Sequence, residues 1–203
     1  MSSASALVQA IIPGMTRSDA RAADAEMMRR VAAGYAGASR ILVDRELAPL
    51  ITFAYRILGD RAESEDVAQE TFLRLWRTAR RWQPKAKVRT WLTRVAYNLS
   101  IDRIRGRKPT DSIDGAELPA TGVGPSSALQ RDQVADVVEA AIAELPERQR
   151  AALALVHYQE FSNIEAAKMM GVSVDALESL LARGRRSLRS ALVDQRTDLL
   201  GEP

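Results

Sequence analysis

An all-α fold of two small helical domains joined by a flexible linker is predicted from three features of this sequence. Ala, Leu and Arg dominate while aromatics are only 5%, and Ala and the straight-chain residues lose little rotamer freedom in a helix. No run of alternating β-branched or aromatic residues bounded by turns is present, so strands have no support. The stretch 106–128 holds three prolines, four glycines and scattered small polar residues, the composition of a linker between two domains. Hydrophobic residues at 46% of the 203 provide for a real core.

Taken in order, residues 1–18 read as a flexible tail. A helical pattern follows over 19–33, slowed by Gly34 and Gly37. Pro49 predicts a new helix start, because a first-turn residue has no intrahelical use for its N–H. Leu50, Ile51, Ala54, Ile57 and Leu58 then recur at helical spacing, and Gly59 stops the helix. Asp60 and Glu63 have capping-box spacing and start the next helix, which buries Val67, Thr71, Phe72 and Leu75 and turns its acids outward. Pro84 breaks the pattern. Helix resumes near Thr90 and runs to about Arg105, with Trp91, Leu92, Val95, Leu99 and Ile104 as its apolar set. Trp76 and Trp91 read as core; Trp82, in the basic break, is more open. These limits place a first domain at 19–106, the linker at 107–129, a second domain at 130–195 and a C-terminal tail at 196–203.

In the second domain a helix over 130–144 precedes Pro146, again suited to a first turn, and helix continues to about Gln159. His157, on this apolar helix, reads as structural. A helix over 163–170, a turn at Gly171-Val172 and a second helix capped by Ser173 make a helix-turn-helix. Ala167, four residues before Gly171, lets the two helices approach closely. Gly184 inside the second helix costs about 1 kcal/mol against alanine, and nothing in the sequence accounts for it.

The chemistry that is missing narrows the function. With no cysteine and one histidine, disulfides, thiolate zinc sites, cysteine nucleophiles and histidine metal clusters are excluded. No nucleophile–base pair or phosphate loop stands out, so no catalytic residue, metal or cofactor is expected. The N-terminus lacks a basic leader, and no apolar run nears the roughly 18–20 residues of a membrane helix. A cytoplasmic protein without membrane insertion is expected.

Charge supplies the positive signal. Net charge is only +3, yet Arg74 to Lys108 holds twelve bases against Asp102 alone, a net of +11. Just upstream, Asp60, Glu63, Glu65, Asp66 and Glu70 crowd together with Arg61 as their one base. Such segregation opposes folding by self-repulsion, and the basic block points to a polyanion partner. A basic break at 80–89 with an exposable Trp82, followed by a basic helix, suits single-stranded nucleic acid. The second helix of a helix-turn-helix enters the major groove and presents its N-terminal residues. Here those are Asp175, Ala176, Glu178, Ser179 and Ala182, with Arg183, Arg185, Arg186 and Arg189 for phosphates. One domain for duplex and one for an opened strand points to transcription initiation.

Three segments, GDRAESEDVAQETFLRLWR, VRTWLTRVAYNLSIDRIR and LPERQRAALALVHYQEFSNIEAAKMMGVSVDALESLLARGRRSLR, resemble the extracytoplasmic-function (ECF) sigma factors of the sigma-70 family. The resemblance spans roughly 19–192 and implies a sigma-2 and a sigma-4 domain. It implies that Glu63, Asp66, Gln69, Glu70 and Leu73 grip core RNA polymerase at the clamp of its largest subunit, with a further contact to the flap of the second-largest. It assigns the minus-ten element to Arg80, Arg81, Trp82, Lys85, Lys87 and Arg89 of the loop and to Arg94, Asn98, Asp102 and Arg105 of the next helix. It assigns the minus-thirty-five element to Ser173, Asp175, Ala176, Glu178, Ser179, Ala182, Arg183 and Arg186. The mildly acidic linker would thread toward the polymerase active-site cleft, and an anti-sigma factor and a stress response are implied. Glu178 and Leu180 stand where relatives often carry Lys or Arg, and Val88 replaces a frequent phenylalanine. A stand-alone helix-turn-helix regulator is the alternative, and a helical adaptor without DNA is a third; neither gives the acidic block and the +11 block a joint purpose.

Overall fold

A computed structural model describes residues 17–107 and 131–200, all in helices and short connections. The linker and the N-terminal tail as read from sequence fall almost wholly outside the described residues. The first domain comprises α1 (Arg17–Ala32), α2 (Ala36–Leu58), α3 (Arg61–Ala79) and α4 (Val88–Arg107). The second comprises α5 (Arg131–Ala143), α6 (Glu147–Leu153) running on as a π-helical turn (Ala154–Tyr158), α7 (Asn163–Met170) and α8 (Val174–Leu200). No strand occurs among the described residues.

The helix predicted to open at Pro49 in fact starts at Ala36 and carries Pro49 inside it. An interior proline costs about 3 kcal/mol through a lost hydrogen bond and ring crowding. Against that, Ala38, Leu42, Leu50, Phe53 and Ile57 form one buried stripe across the proline. Fully burying each large apolar chain contributes about 1.5–3 kcal/mol, so the stripe outweighs the break. The helix ends where Gly59 adopts φ 70° and its N–H reaches Tyr55 O, a left-handed C-cap suited to glycine.

Around α2 the first core gathers Met28 of α1, Val67, Phe72 and Leu75 of α3, and Val88, Leu92 and Ile104 of α4. The hydroxyls of Thr71 and Ser100 are buried, and each donates back along its own helix, to Val67 O at 2.7 Å and Ala96 O at 2.8 Å, so neither is left unsatisfied. Asp60 caps α3 by accepting from Glu63 N at 2.8 Å. The reciprocal half of the expected capping box is replaced: Arg107 Nε donates to Glu63 Oε1 at 3.2 Å.

In the second domain Leu155, Phe161, Leu177 and Leu181 are buried. Arg150, also buried, donates to Ala143 O at 2.6 Å, satisfying a carbonyl at the end of α5. Burial pulls its guanidinium below the ordinary arginine range. Pro146 stands one residue outside α6, at its N-cap. His157, in the π-helical turn, is exposed and not part of the core.

Gly184 acquires its reason here. A Cβ at this buried position would lie 3.0 Å from Leu153 Cδ1, so glycine lets α8 press onto α6. The two domains touch as well. Arg56 of α2 donates to Glu139 Oε1 of α5 at 2.8 Å, and its guanidinium carbon lies 3.6 Å from the centre of the Tyr158 ring.

Gly184→Val should force α6 and α8 apart and lower stability by about 2 kcal/mol. Urea denaturation followed by circular dichroism measures this, and an unchanged midpoint would contradict the packing.

Candidate polymerase and nucleic-acid interface

The acids of α3 divide between two faces. Glu65, Gln69, Phe72, Leu73 and Trp76 line a groove whose other wall is Val43, Leu47 and Ile51 of α2. Trp76, expected in the core, is 41% exposed here, with its ring centre 6.0 Å from that of Phe72. Glu63, Asp66 and Glu70 lie on the neighbouring face, where they meet bases. Arg103 Nη1 donates to Glu63 O at 2.8 Å and lies 3.7 Å from Asp66 Oδ2. Arg74 Nε donates to Glu70 Oε1 at 2.8 Å, and this bond holds the Glu70 carboxyl below the usual carboxylate range. The five residues assigned to polymerase thus do not share one surface: Gln69 and Leu73 face the groove, Glu63 and Asp66 meet bases of α4, and Glu70 pairs with Arg74 of α3 itself.

The α2 wall was missed from sequence. Its signal was present as a second apolar stripe, Val43, Leu47 and Ile51 at four-residue spacing, beside the buried one.

Between α3 and α4 the chain makes a tight exit. Arg81 N donates to Thr78 O at 2.8 Å and Trp82 N to Ala79 O at 3.2 Å. Trp82 is not the open aromatic expected: it is half-buried, edge-on to Trp91 with ring centres 5.9 Å apart. Its indole N–H is buried without a partner. Arg80, Arg81, Lys85, Lys87 and Arg89 are exposed around this anchor. On α4, Arg94, Asn98, Asp102 and Arg105 follow three- and four-residue spacing and are all exposed on one face. The structure therefore assembles the loop and this helix face into a basic surface. It also removes bases from the +11 block, since Arg74, Arg103 and Arg107 turn to the acids of α3. Arg89 reaches across to the second domain, donating to Gln159 Oε1 at 3.1 Å.

The helix-turn-helix forms as its sequence predicts. Ser162 and Glu165 make a reciprocal capping box at the start of α7. Gly171 turns the chain at φ 64°, and Ser173 Oγ accepts from Ala176 N at 3.1 Å to cap α8. Asp175, Glu178, Ser179, Ala182, Arg183 and Arg186 are exposed, whereas Ala176 is half-buried. Asn163 Nδ2 donates to Glu178 Oε1 at 3.1 Å, so this acid is tied to α7. Leu180 packs on the core, which explains an apolar residue where a base was expected.

Comparison with known proteins agrees with this two-domain fold. The Sigma-70 region 2 model matches residues 42–110 and the Sigma-70, region 4 model matches residues 135–188. The ECF RNA polymerase sigma factor SigW of Bacillus subtilis is 31% identical over 178 residues, covering 82% of this chain and 95% of SigW. The ECF RNA polymerase sigma factor SigL of Mycobacterium tuberculosis is 34% identical over 167 residues, covering 79% and 92%. Among solved structures, CnrH in complex with the cytosolic domain of CnrY is 26% identical with a TM-score of 0.61, covering 85% of this chain and 98% of CnrH. The sigma factor RpoE of Bartonella quintana, solved with the anti-sigma factor NepR, is 20% identical with a TM-score of 0.57 and shares the fold. A stand-alone regulator would need only the second domain, whereas the first is matched too. With both regions matched in order and a relative covered almost end to end, the chain belongs to the ECF RNA polymerase sigma factors of the sigma-70 family.

Proposed function

We propose that this alternative sigma factor docks core RNA polymerase on its first domain, captures the opened minus-ten strand beside that contact, and reads the minus-thirty-five duplex with its second domain. The observation that carries the reading is the separation of three surfaces: an apolar groove edged by Glu65 and Gln69, a basic loop with one face of α4, and the exposed side of α8. An apolar floor with a polar rim is the composition of a protein–protein contact. It suits the clamp of the largest polymerase subunit, with Gln69, Leu73 and Trp76 at its centre and Glu63, Asp66 and Glu70 at its edge. The second domain would also meet the flap of the second-largest subunit. The loop bases, Trp82 and the Arg94–Asn98–Asp102–Arg105 face suit an unpaired strand. Arg183 and Arg186 suit phosphates, and Asp175, Glu178, Ser179 and Ala182 suit base edges.

The two roles fall to domains near 19–106 and 130–195; α1 begins two residues earlier, at Arg17, and α8 runs on through 196–200, which the sequence reading placed in a tail. The protein works in the cytoplasm, binds no cofactor and catalyses no reaction; the chemistry is the polymerase's. An anti-sigma partner follows from the relatives solved with CnrY and NepR, and with it a role in a stress response. Elements named for positions minus ten and minus thirty-five lie about 25 base pairs apart, roughly 85 Å of duplex. Arg89 and Gln159, 3.1 Å apart, therefore have to part when both elements are engaged.

Purified chain added to core polymerase should give promoter-dependent run-off transcripts; no binding to core would overturn the reading. Leu73→Glu should weaken core binding by roughly 10–100-fold in a fluorescence titration. Arg186→Ala should weaken holoenzyme binding to all promoters alike and lower the salt slope by about 1. A loss confined to one promoter sequence would instead make Arg186 a base reader.

A further inference from the structure

The first helical residue after the basic loop, Val88, has no local cap. From Pro84 to Arg89 the residues are Pro, Lys, Ala, Lys, Val and Arg, and none offers a side-chain oxygen to the free N–H groups at the start of α4. Lys85, Lys87 and Arg89 moreover crowd cations at the positive end of the helix dipole, where they are disfavoured. The missing acceptor comes from another helix. Asp24 of α1 takes the Val88 N–H on Oδ2 at 2.8 Å, a contact 64 residues apart in sequence.

That carboxylate is itself held. Its side chain is only 12% exposed, and Arg45 of α2 donates to its Oδ1 at 3.3 Å while bonding Glu46 Oε1 at 2.7 Å. The loop is therefore fixed at two points: Trp82 against Trp91 at its entry, and Asp24 on Val88 at its exit. Asp24 lies outside residues 42–110, the span matched as region 2.

We propose that Asp24 is a positioning residue for promoter opening: its carboxylate caps α4 from α1 and so sets where the loop 83–87 presents its bases to the unpaired strand. The inference rests on the reading of that loop as the minus-ten surface. Asp24 touches no DNA and acts through Val88.

The test uses the full chain assembled with core polymerase and three measurements: core affinity, opening of a duplex promoter by 2-aminopurine fluorescence in the minus-ten region, and hydrogen exchange across residues 83–91. Asp24→Ala should leave core affinity within about twofold, slow or reduce opening roughly 5–10-fold, and raise exchange by a similar factor, the usual worth of a helix cap. Asp24→Asn keeps an amide oxygen that accepts from Val88 N and should restore opening to within about threefold of the natural chain. Unchanged opening and exchange in Asp24→Ala would overturn the proposal. So would an equal loss of core affinity and opening, which marks a general folding defect, or an Asn variant no better than Ala. Lys85→Ala with Lys87→Ala serves as the separate check on the loop itself. If that double variant opens promoters normally, the minus-ten reading fails, while the exchange measurement still decides whether Asp24 holds the loop.

Discussion

The buried stripe of α2, from Ala38 through Leu42, Leu50, Phe53 and Ile57, keeps one helix continuous through an internal proline, and the rest of the molecule is arranged on that rod. Apolar burial is proportional to area and indifferent to one missing hydrogen bond, so the helix persists where local propensity would end it. Three further faces of the same rod then become available at fixed positions. Val43, Leu47 and Ile51 form one wall of the groove. Arg45 holds Asp24 and, through it, the exit of the basic loop. Arg56 meets Glu139 and Tyr158 of the second domain. A break at Pro49 would uncouple the groove and the loop anchor from the domain contact.

Charge is distributed by a second constraint. The acids at the start of α3 and the bases at the end of α4 look in sequence like two blocks awaiting two partners. Folding brings them together, with Arg103 and Arg107 on Glu63, while Arg74 of α3 itself pairs with Glu70. These contacts are largely exposed and each stabilises the fold by little. Their larger effect is to sort the charge. Bases that remain on the outside are Arg77, those of the loop and those of the Arg94–Arg105 face, while the acid beside the groove is Glu65. The polyanion surface is thereby smaller and better defined than a count of twelve bases implies.

In the second domain packing also explains the residues that looked out of place. Leu180 is a core contact, Glu178 is the acceptor for Asn163, and Gly184 permits the approach of α6 and α8. Each departs from what a DNA-reading helix would carry for its own sake, because each also serves the packing of the domain that presents the helix.

Periodicity, caps and turn residues determined a great deal without help: the all-α class, the helix-turn-helix from Ser162 to α8, the end of α2 at Gly59, and the buried set of α3. These are local properties, legible because helical spacing and capping operate within a few residues. Only the tertiary structure decided that α2 survives Pro49, that Trp76 is open and Trp82 packed, that His157 faces solvent, and which face of α3 each acid occupies. It alone also reveals Asp24 at Val88, since no local pattern marks a cap that arrives from 64 residues away. Pairings of this kind depend on which helices the core brings side by side, and burial summed over the whole chain settles that.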